Sequence, residues 1–396
     1  MSSPALIGGQ PASRIEISRR AYARNHNLLR SVIGPDCVLS SVVKGNAYGH
    51  GIRNIVELAE AQGVRHFSVF QAAEAAEVLT ASQAGSEVMV MGYLAPEEIE
   101  WAVEHDVSFF VFETERLHRA AEAARRVGKP ARVHLDLETG MNRTGLTGEE
   151  LEDAMDLMTT SPDALRLEGL CTHYAGAESE GNHLRVQRQI EVFNSLAGRV
   201  KERGLKPRHR HTACSAATFS YPQTHMDLVR VGIAQYGYWP SQETRMRFLL
   251  KQQEKNGAPA PDPLRRVMRW VTSVMSVKKV EAGEFVGYGR SHLTTRLQTI
   301  ATIPVGYGQG FPRVLSNLGY VLVRGRRAPV VGVVNMNLTT VDVTEIPDVK
   351  TGDEVVLIGR QGRAEISVGW FGDITRMLNY EVLVRIPRDV PRVMTA

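Results

Sequence analysis

Val42-Val43-Lys44-Gly45-Asn46-Ala47-Tyr48-Gly49-His50-Gly51 closes an apolar run with a lysine and follows it with three glycines, a tyrosine and a histidine. A lysine enclosed by apolar strand residues has its ammonium form disfavoured, and its amine can then act as a Schiff-base nucleophile toward a carbonyl. An ordinary surface lysine ending a strand is the competing reading, and it describes most lysines. On spacing alone three other residues have equally plain readings. Arg230 is a salt-bridged arginine at a strand end, Tyr288 a half-buried strand tyrosine, and Ser215 a helix N-cap.

The elements that must position these residues follow a rhythm. From about residue 35, short apolar runs alternate with longer helical patterns, the signature of βα units and a parallel sheet. The expected strands are Val38–Val43, His66–Phe70, Glu87–Met91, Ser108–Phe112, Ala131–Leu137, Leu165–Thr172, Arg208–Thr212 and Asp227–Val231. Helical segments lie between them, among them Ile52–Gln62, Glu115–Val127 and Leu184–Arg203. Eight strands with no G-x-G-x-x-G after the first favour a closed barrel over an open sheet. Such a barrel carries its functional groups at the C-terminal strand ends, and Lys44 falls at one of them.

After Gly237 the pattern changes. A charged stretch, Ser241–Arg266, holds the Pro-rich Ala258-Pro259-Ala260-Pro261-Asp262-Pro263 and leads into short β-branched runs: Arg269–Val280, Gln298–Pro304, Tyr320–Val323, Pro329–Val334, Thr339–Val343 and Glu354–Ile358. The fold expected is therefore α/β, a (β/α)8 TIM-type barrel over 13–245 followed by a mostly β C-terminal domain over 246–396, with 1–12 joining the latter.

Composition excludes several classes. Across 396 residues the net charge is only +4, with Lys/Arg interleaved among Asp/Glu, so no nucleic-acid surface is indicated. Cys37, Cys171 and Cys214 are scattered without C-x-x-C spacing, which argues against a disulfide framework or zinc site and for a reducing compartment. No run approaches the ~18 apolar residues of a membrane helix, and the N-terminus has no continuous apolar segment, so a soluble, cytoplasmic protein is expected. His209 and His211 share one strand face without a third ligand, so no metal site is expected. Gly306–Gly310 has no βαβ helix after it, and Arg324–Arg327 reads as a solvated turn.

VVKGNAYGHG resembles the pyridoxal-phosphate lysine motif of alanine racemases, and the likeness continues in order along the chain. The further matches are Glu138–Gly145 (ETGMNRTG), Thr172–Ala175 (THYA), Ser215–Thr218 (SAAT), Val229–Gly237 (VRVGIAQYG), Gly287–Gly289 (GYG), Ile303–Tyr307 (IPVGY), Val330–Met336 (VVGVVNM) and Asn379–Val382 (NYEV).

The resemblance implies pyridoxal 5′-phosphate as cofactor and a two-base racemisation of L- and D-alanine. Lys44 would hold the cofactor and work on one face of the α-carbon, with Tyr288 on the other. Tyrosine is a poor base at neutral pH, so positive charge from Arg230 and His173 is expected beside it. Arg230 would donate to the pyridine nitrogen. Ser215, with the backbone of Gly232 and Ile233, and the side chains of Tyr48 and Tyr380 would take the phosphate. Arg143, the backbone N–H of Met336, and Tyr307 would meet the substrate. The resemblance also implies a head-to-tail homodimer with shared active sites. A serine or broad-spectrum racemase is the nearest alternative; a non-catalytic pyridoxal-phosphate carrier and a decarboxylase of related architecture stand further off.

The chain departs from the family at several positions. Asp136 stands where many members carry a carbamylated lysine that positions the arginine matching Arg143, so a carboxylate is encoded there directly. Asn335 and Asn337 flank Met336 where cysteine and aspartate are frequent, and Cys214 precedes Ser215 where asparagine is frequent.

Overall fold

The computed structural model describes residues 11–396, which divide into two compact units. One comprises 20–47 and 55–265; the other comprises 48–54, 266–396 and, among the described residues, 11–19. The expected grouping of 1–12 with the second domain lies, for 1–10, outside the described residues.

With strands numbered along the chain, β1 (Arg14–Ser18) belongs to the second unit and the next eight to the first: β2 (Val38–Val42), β3 (His66–Val69), β4 (Glu87–Val90), β5 (Ser108–Val111), β6 (Ala131–Asp136), β7 (Leu165–Cys171), β8 (His209–His211) and β9 (Leu228–Val231). All eight are parallel, in the order β8-β7-β6-β5-β4-β3-β2-β9. The seam between β8 and β9 is held by a bridge between Cys214 and Arg230 and by the Arg230 N–H donating to the Ala213 carbonyl at 2.9 Å, which makes a nearly closed barrel. Strands β3, β5 and β9 are buried at every position because helices cover the outside while side chains fill the inside.

Polar pins hold β2 to β9. The buried Gln235 donates to the carbonyls of Val42 and Val231, both at 3.0 Å, and its carbonyl oxygen accepts from the hydroxyls of Ser41 at 2.7 Å and Tyr22 at 3.0 Å. Tyr236 adds a bond to the Val42 carbonyl at 2.9 Å. The ends of the first and last barrel strands are thereby held in register where Lys44 and Arg230 emerge.

The charged stretch after Ser241 contains a helix, Gln242–Asn256, that clusters with the barrel unit. Ser241 caps it, accepting from the Thr244 N–H at 3.0 Å, and Phe248 packs on Phe219 and Trp239 with ring centroids 5.4 and 5.3 Å apart. Its sequence is too polar to announce a buried face, yet one aromatic anchors it.

In the second unit β1 lies between β10 (Met268–Ser273), antiparallel to it, and β18 (Arg392–Thr395), parallel to it. The sequence grouped Arg14–Ser18 with the barrel, but its alternation suits a half-buried strand: Ile15 and Ile17 are fully buried between polar neighbours. Six more strands follow β10: β11 (Ser276–Val280), β12 (Gln298–Ile303), β13 (Tyr320–Val323), β14 (Arg326–Pro329), β15 (Thr339–Asp342) and β16 (Glu354–Gln361), with β17 (Ala364–Ile366) pairing β16. The run expected as one strand over Arg269–Val280 breaks into β10 and β11, and Pro329–Val334 is mostly loop. Helices Val368–Thr375 and Asn379–Val384 complete the unit.

Candidate active site

In the barrel unit Lys44 follows β2 after one residue, Val43. Gly45, Asn46 and Ala47 take left-handed helical angles (φ 62°, 55° and 53°), and Tyr48 continues the run at φ 52°. Glycine and asparagine tolerate this region, whereas a residue such as Ala47 or Tyr48 costs ~1–2 kcal/mol there. Two bonds offset that strain: the Ala47 N–H donates to the Val43 carbonyl at 2.7 Å, and the Gly45 N–H to Glu74 Oε1 at 2.7 Å.

The Lys44 side chain reaches solvent at this mouth of the barrel, the C-terminal end of its strands. Its pKa is pushed below the usual lysine value by burial and by the charge of Arg143, with Glu74 opposing and Arg230 adding to the depression. A lysine in this condition offers a free amine more readily than a surface lysine does.

Arg230, on β9, is buried. The salt bridge that spacing alone would allow is absent: among the described residues no carboxylate pairs with it. Its Nη1 donates to His211 Nδ1 at 2.5 Å and to the His211 carbonyl at 2.6 Å, and its Nη2 donates to the Thr172 carbonyl at 2.7 Å. The Nε–H has no partner among the described residues.

His211 in turn lies 2.8 Å from His134 Nδ1 through its own Nε2. Burial, first of all, holds both rings far below the ordinary histidine pKa, so both are neutral. Since Arg230 must donate to Nδ1, the His211 proton sits on Nε2 and is donated to His134. Gly169 makes this contact possible, because a Cβ there would lie 2.2 Å from His134 Nδ1 and 2.8 Å from His211 Nε2. The sequence reading set His209 and His211 aside as an ordinary pair. The signal that could have found His211 is its place, on the strand beside the one carrying Arg230.

His173 is also neutral. Burial and then Arg230, Arg143 and Lys44 lower its pKa to about 3. The positive charge expected from it is therefore missing, and any such charge at this mouth comes from the arginines.

Ser215 opens the short helix Ser215–Ser220, but the N-cap is Cys214 and the Ser215 hydroxyl does not cap. Its Oγ accepts from the N–H of Gly232 at 3.0 Å and of Ala234 at 3.5 Å, which joins the ends of β8 and β9 and leaves its own proton to donate. Gly232 and Ile233 follow at the start of a 3-10 turn. With the Gly232 and Ala234 N–H groups taken by Ser215 Oγ, the Ile233 N–H, unengaged among the described residues, and the Ser215 proton are the donors this corner offers an anion.

Arg143 rides on a loop after β6. Its neck is closed by the Leu146 N–H donating to the Asp136 carbonyl at 2.8 Å and the Glu138 N–H to the Leu146 carbonyl at 3.1 Å. The Glu138 carboxylate accepts from the N–H groups of Gly140, Met141 and Asn142 at 2.5, 2.8 and 2.9 Å. Burial raises the Glu138 pKa, but these bonds outweigh it and hold the group below the usual carboxylate range.

Asp136 makes no ion pair with Arg143. Its carboxyl instead accepts from the Thr144 hydroxyl at 3.2 Å and from the Cys171 thiol at 3.8 Å, and burial pushes its pKa up to about 6 against the pull of Arg230. The carboxyl encoded at this position thus holds the residue after Arg143, and the Arg143 charge reaches it without a direct bond.

In the second unit Tyr48 meets Tyr380 with ring centroids 6.0 Å apart. Gly49 presses on helix Asn379–Val384, where a Cβ would come within 2.1 Å of the Leu383 carbonyl oxygen.

A groove of about 810 Å³ in this unit is lined by Tyr288, Tyr307, Arg313 and Val333–Leu338. Tyr288 is 74% exposed, on a loop tip between Gly287 (φ 75°) and Gly289 (φ 69°), and so is no strand tyrosine. Met336 is exposed; its carbonyl accepts from the Gly308 N–H at 2.8 Å, and its own N–H is unengaged among the described residues. Each unit thus gathers its own set: Lys44, Arg143, His173, Ser215, Arg230, Gly232 and Ile233 in the barrel; Tyr48, Tyr288, Tyr307, Met336 and Tyr380 in the other.

A parallel barrel with an amine and an anion-receiving corner at its strand ends, joined to a β-rich unit, defines a class of barrel enzymes. Residues 17–240 match the family model described as alanine racemase, N-terminal domain, and 267–394 match alanine racemase, C-terminal domain. The chain belongs to the alanine racemase family. It is 36% identical over 384 residues to the alanine racemase of Desulforamulus reducens, covering 96% of this chain and 97% of that one. Among solved structures it resembles alanine racemase from Bacillus anthracis with bound L-Ala-P (TM-score 0.87, 30% identity, 98% of this chain and 96% of that one). It also resembles alanine racemase from Bartonella henselae with covalently bound pyridoxal phosphate (TM-score 0.80, 25% identity, 98% and 100%).

Proposed function

We propose that this protein is a pyridoxal 5′-phosphate-dependent racemase that interconverts L- and D-alanine. The observation that carries the reading is a lysine amine of depressed pKa facing two arginines, Arg143 and Arg230, neither of which is paired to a carboxylate among the described residues. Such a mouth attracts a ligand with more than one anionic or basic acceptor group.

The residues fit the cofactor. The unpartnered Arg230 Nε–H would donate to the pyridine nitrogen, and a guanidinium, being always charged, leaves that nitrogen unprotonated. The Ser215 hydroxyl and the backbone at Gly232 and Ile233 would take the phosphate, with Tyr48 and Tyr380 as further contacts. His173 would lie near the ring as a neutral group. When bound, pyridoxal phosphate supplies the electron sink that acidifies the substrate α-C–H.

Lys44 then takes the α-proton from one face and the Tyr288 hydroxyl delivers one to the other; the opposite reaction exchanges the roles. Arg143 holds the substrate carboxylate with its planar fork, the Met336 N–H gives a second donor, and Tyr307 lines the entrance. Tyr288 is supplied by a second copy in a head-to-tail homodimer, a reading favoured by its exposure on an open groove. No helix among the described residues is long and apolar enough to cross a membrane, and the three cysteines are all free. A cytoplasmic location accords with the free thiols.

The test mixes two inactive variants. Lys44→Ala and Tyr288→Phe chains, unfolded together and refolded, should regain alanine racemisation and α-deuterium incorporation in heavy water, because the mixed dimer rebuilds one intact site. Recovery of no activity would refute the shared site. Failure of the parent protein to exchange the α-hydrogen of either alanine enantiomer would refute the racemase.

A further inference from the structure

Glu74 has no assigned role, and its surroundings are unusual for a glutamate. It stands in the first turn of helix Ala72–Ala81, is 5% exposed, and divides its two oxygens between two backbone groups. Oε1 accepts from the Gly45 N–H at 2.7 Å and Oε2 from the Phe70 N–H at 3.0 Å. Gly45 is the residue after Lys44, and Phe70 is the residue after β3. One carboxylate therefore ties the C-terminal end of β3 to the first residue of the left-handed run that follows Lys44.

That run needs an external tie. Five consecutive residues at positive φ, Gly45 to Gly49, are a local conformation the chain would leave if released, and a side-chain acceptor aimed at the first N–H of the turn rewards the left-handed geometry. We propose that Glu74 is a positioning residue for Lys44: it holds the turn from Gly45 to Tyr48 left-handed and thereby sets the direction in which the lysine leaves β2. The inference rests on the reading of Lys44 as the acting amine.

The same carboxylate acts on the lysine through its charge. Burial and Arg143 depress the Lys44 pKa, Glu74 opposes them, and Arg230 adds to the depression, with His173 facing the lysine as a neutral ring. Removing the charge and removing the tie are separable. Glu74→Gln keeps the length and offers one carbonyl oxygen to two N–H donors, while its amide faces the other. Glu74→Asp keeps the charge and falls one methylene short.

The experiment uses the full-length chain without cofactor. Hydrogen exchange of the backbone amides over 44–49 should quicken about tenfold or more in both variants, while β7, remote from Glu74, exchanges as in the parent. The pH at which the Lys44 amine is half-modified by acetic anhydride should fall by on the order of one unit in Glu74→Gln and stay near the parent value in Glu74→Asp. Parent-like exchange over 44–49 in either folded variant would overturn the proposal. So would faster exchange in β7 to the same degree, which would show a general loss of structure. Should Glu74→Gln not fold, Glu74→Asp decides alone through the exchange readout. The reading of Lys44 itself is tested apart from this: Lys44→Ala should lose the visible absorbance that added pyridoxal 5′-phosphate gives the parent, whatever the exchange result.

Discussion

Arg230 Nη1 lies 2.5 Å from His211 Nδ1, so a cation buried in the barrel is held by a neutral imidazole and by carbonyls, not by a carboxylate. The His211–His134 bond dictates which ring nitrogen can accept, and Gly169 leaves the room for both rings. A carboxylate at this place would neutralise the arginine. An imidazole orients it and leaves its charge for the ligand.

Replacing His211 by Phe removes that acceptor and strands a buried donor. Stability should fall by about 1–3 kcal/mol in urea unfolding, and kcat should fall more than KM rises. His211→Asn, whose side-chain oxygen reaches the Nδ1 position, should recover part of both. Equal damage in the two variants would count against the acceptor role.

Asp136 gives a pH dependence whose sign can be worked out. Its pKa is about 6 in the fold against an ordinary 3.8, so the protonated form is favoured by folding. The associated stability is fully present below about pH 3.8 and is lost as pH rises to about 6. Asp136→Asn should remove this term, flattening unfolding free energy between those pH values and making the variant more stable than the parent at pH 8, by on the order of 2–3 kcal/mol. A variant less stable than the parent at pH 8 would contradict the assignment.

Gly49 and Gly63 separate two costs of losing a glycine. Both have positive φ, 79° and 82°, but a Cβ at Gly49 meets the Leu383 carbonyl oxygen at 2.1 Å whereas one at Gly63 meets nothing within 4 Å. Gly63→Ala should cost about 1 kcal/mol. Gly49→Ala should cost clearly more, shift helix Asn379–Val384 and move Tyr380 away from Tyr48. Comparable thermal midpoints for the two variants would argue against the close approach.

Ser215→Ala keeps the short helix, since Cys214 is its N-cap, but removes the oxygen that joins it to Gly232 and the donor at the anion corner. Pyridoxal 5′-phosphate should bind roughly tenfold more weakly, corresponding to about 1.4 kcal/mol. Pyridoxal without its phosphate should lose much less. Equal losses for the two ligands would place Ser215 away from the phosphate.

Much of this was legible beforehand because its causes are local. Each barrel strand is a short apolar run between turn residues, and periodicity alone placed all eight to within a residue or two of β2–β9. Strand β1 and helix Gln242–Asn256 were harder: one shares its unit with strands more than 250 residues away, and the other is polar over most of its surface. Arg143, Arg230 and Tyr288 could be picked out from their motifs, but the partners of the two arginines and the exposure of the tyrosine could not.

The sequence by itself determined the alternation of strands and helices, the family, and the identity of the residues able to do the chemistry, since each depends on residue types at short spacing. Only the tertiary structure decided their state. That His173 is neutral, that Asp136 holds Thr144 and not Arg143, that His211 carries Arg230, and that Glu74 grips the turn after Lys44 all depend on groups far apart in the chain being brought together away from water. Burial and hydrogen bonding across strands set charge and orientation there, and neither is written in local sequence.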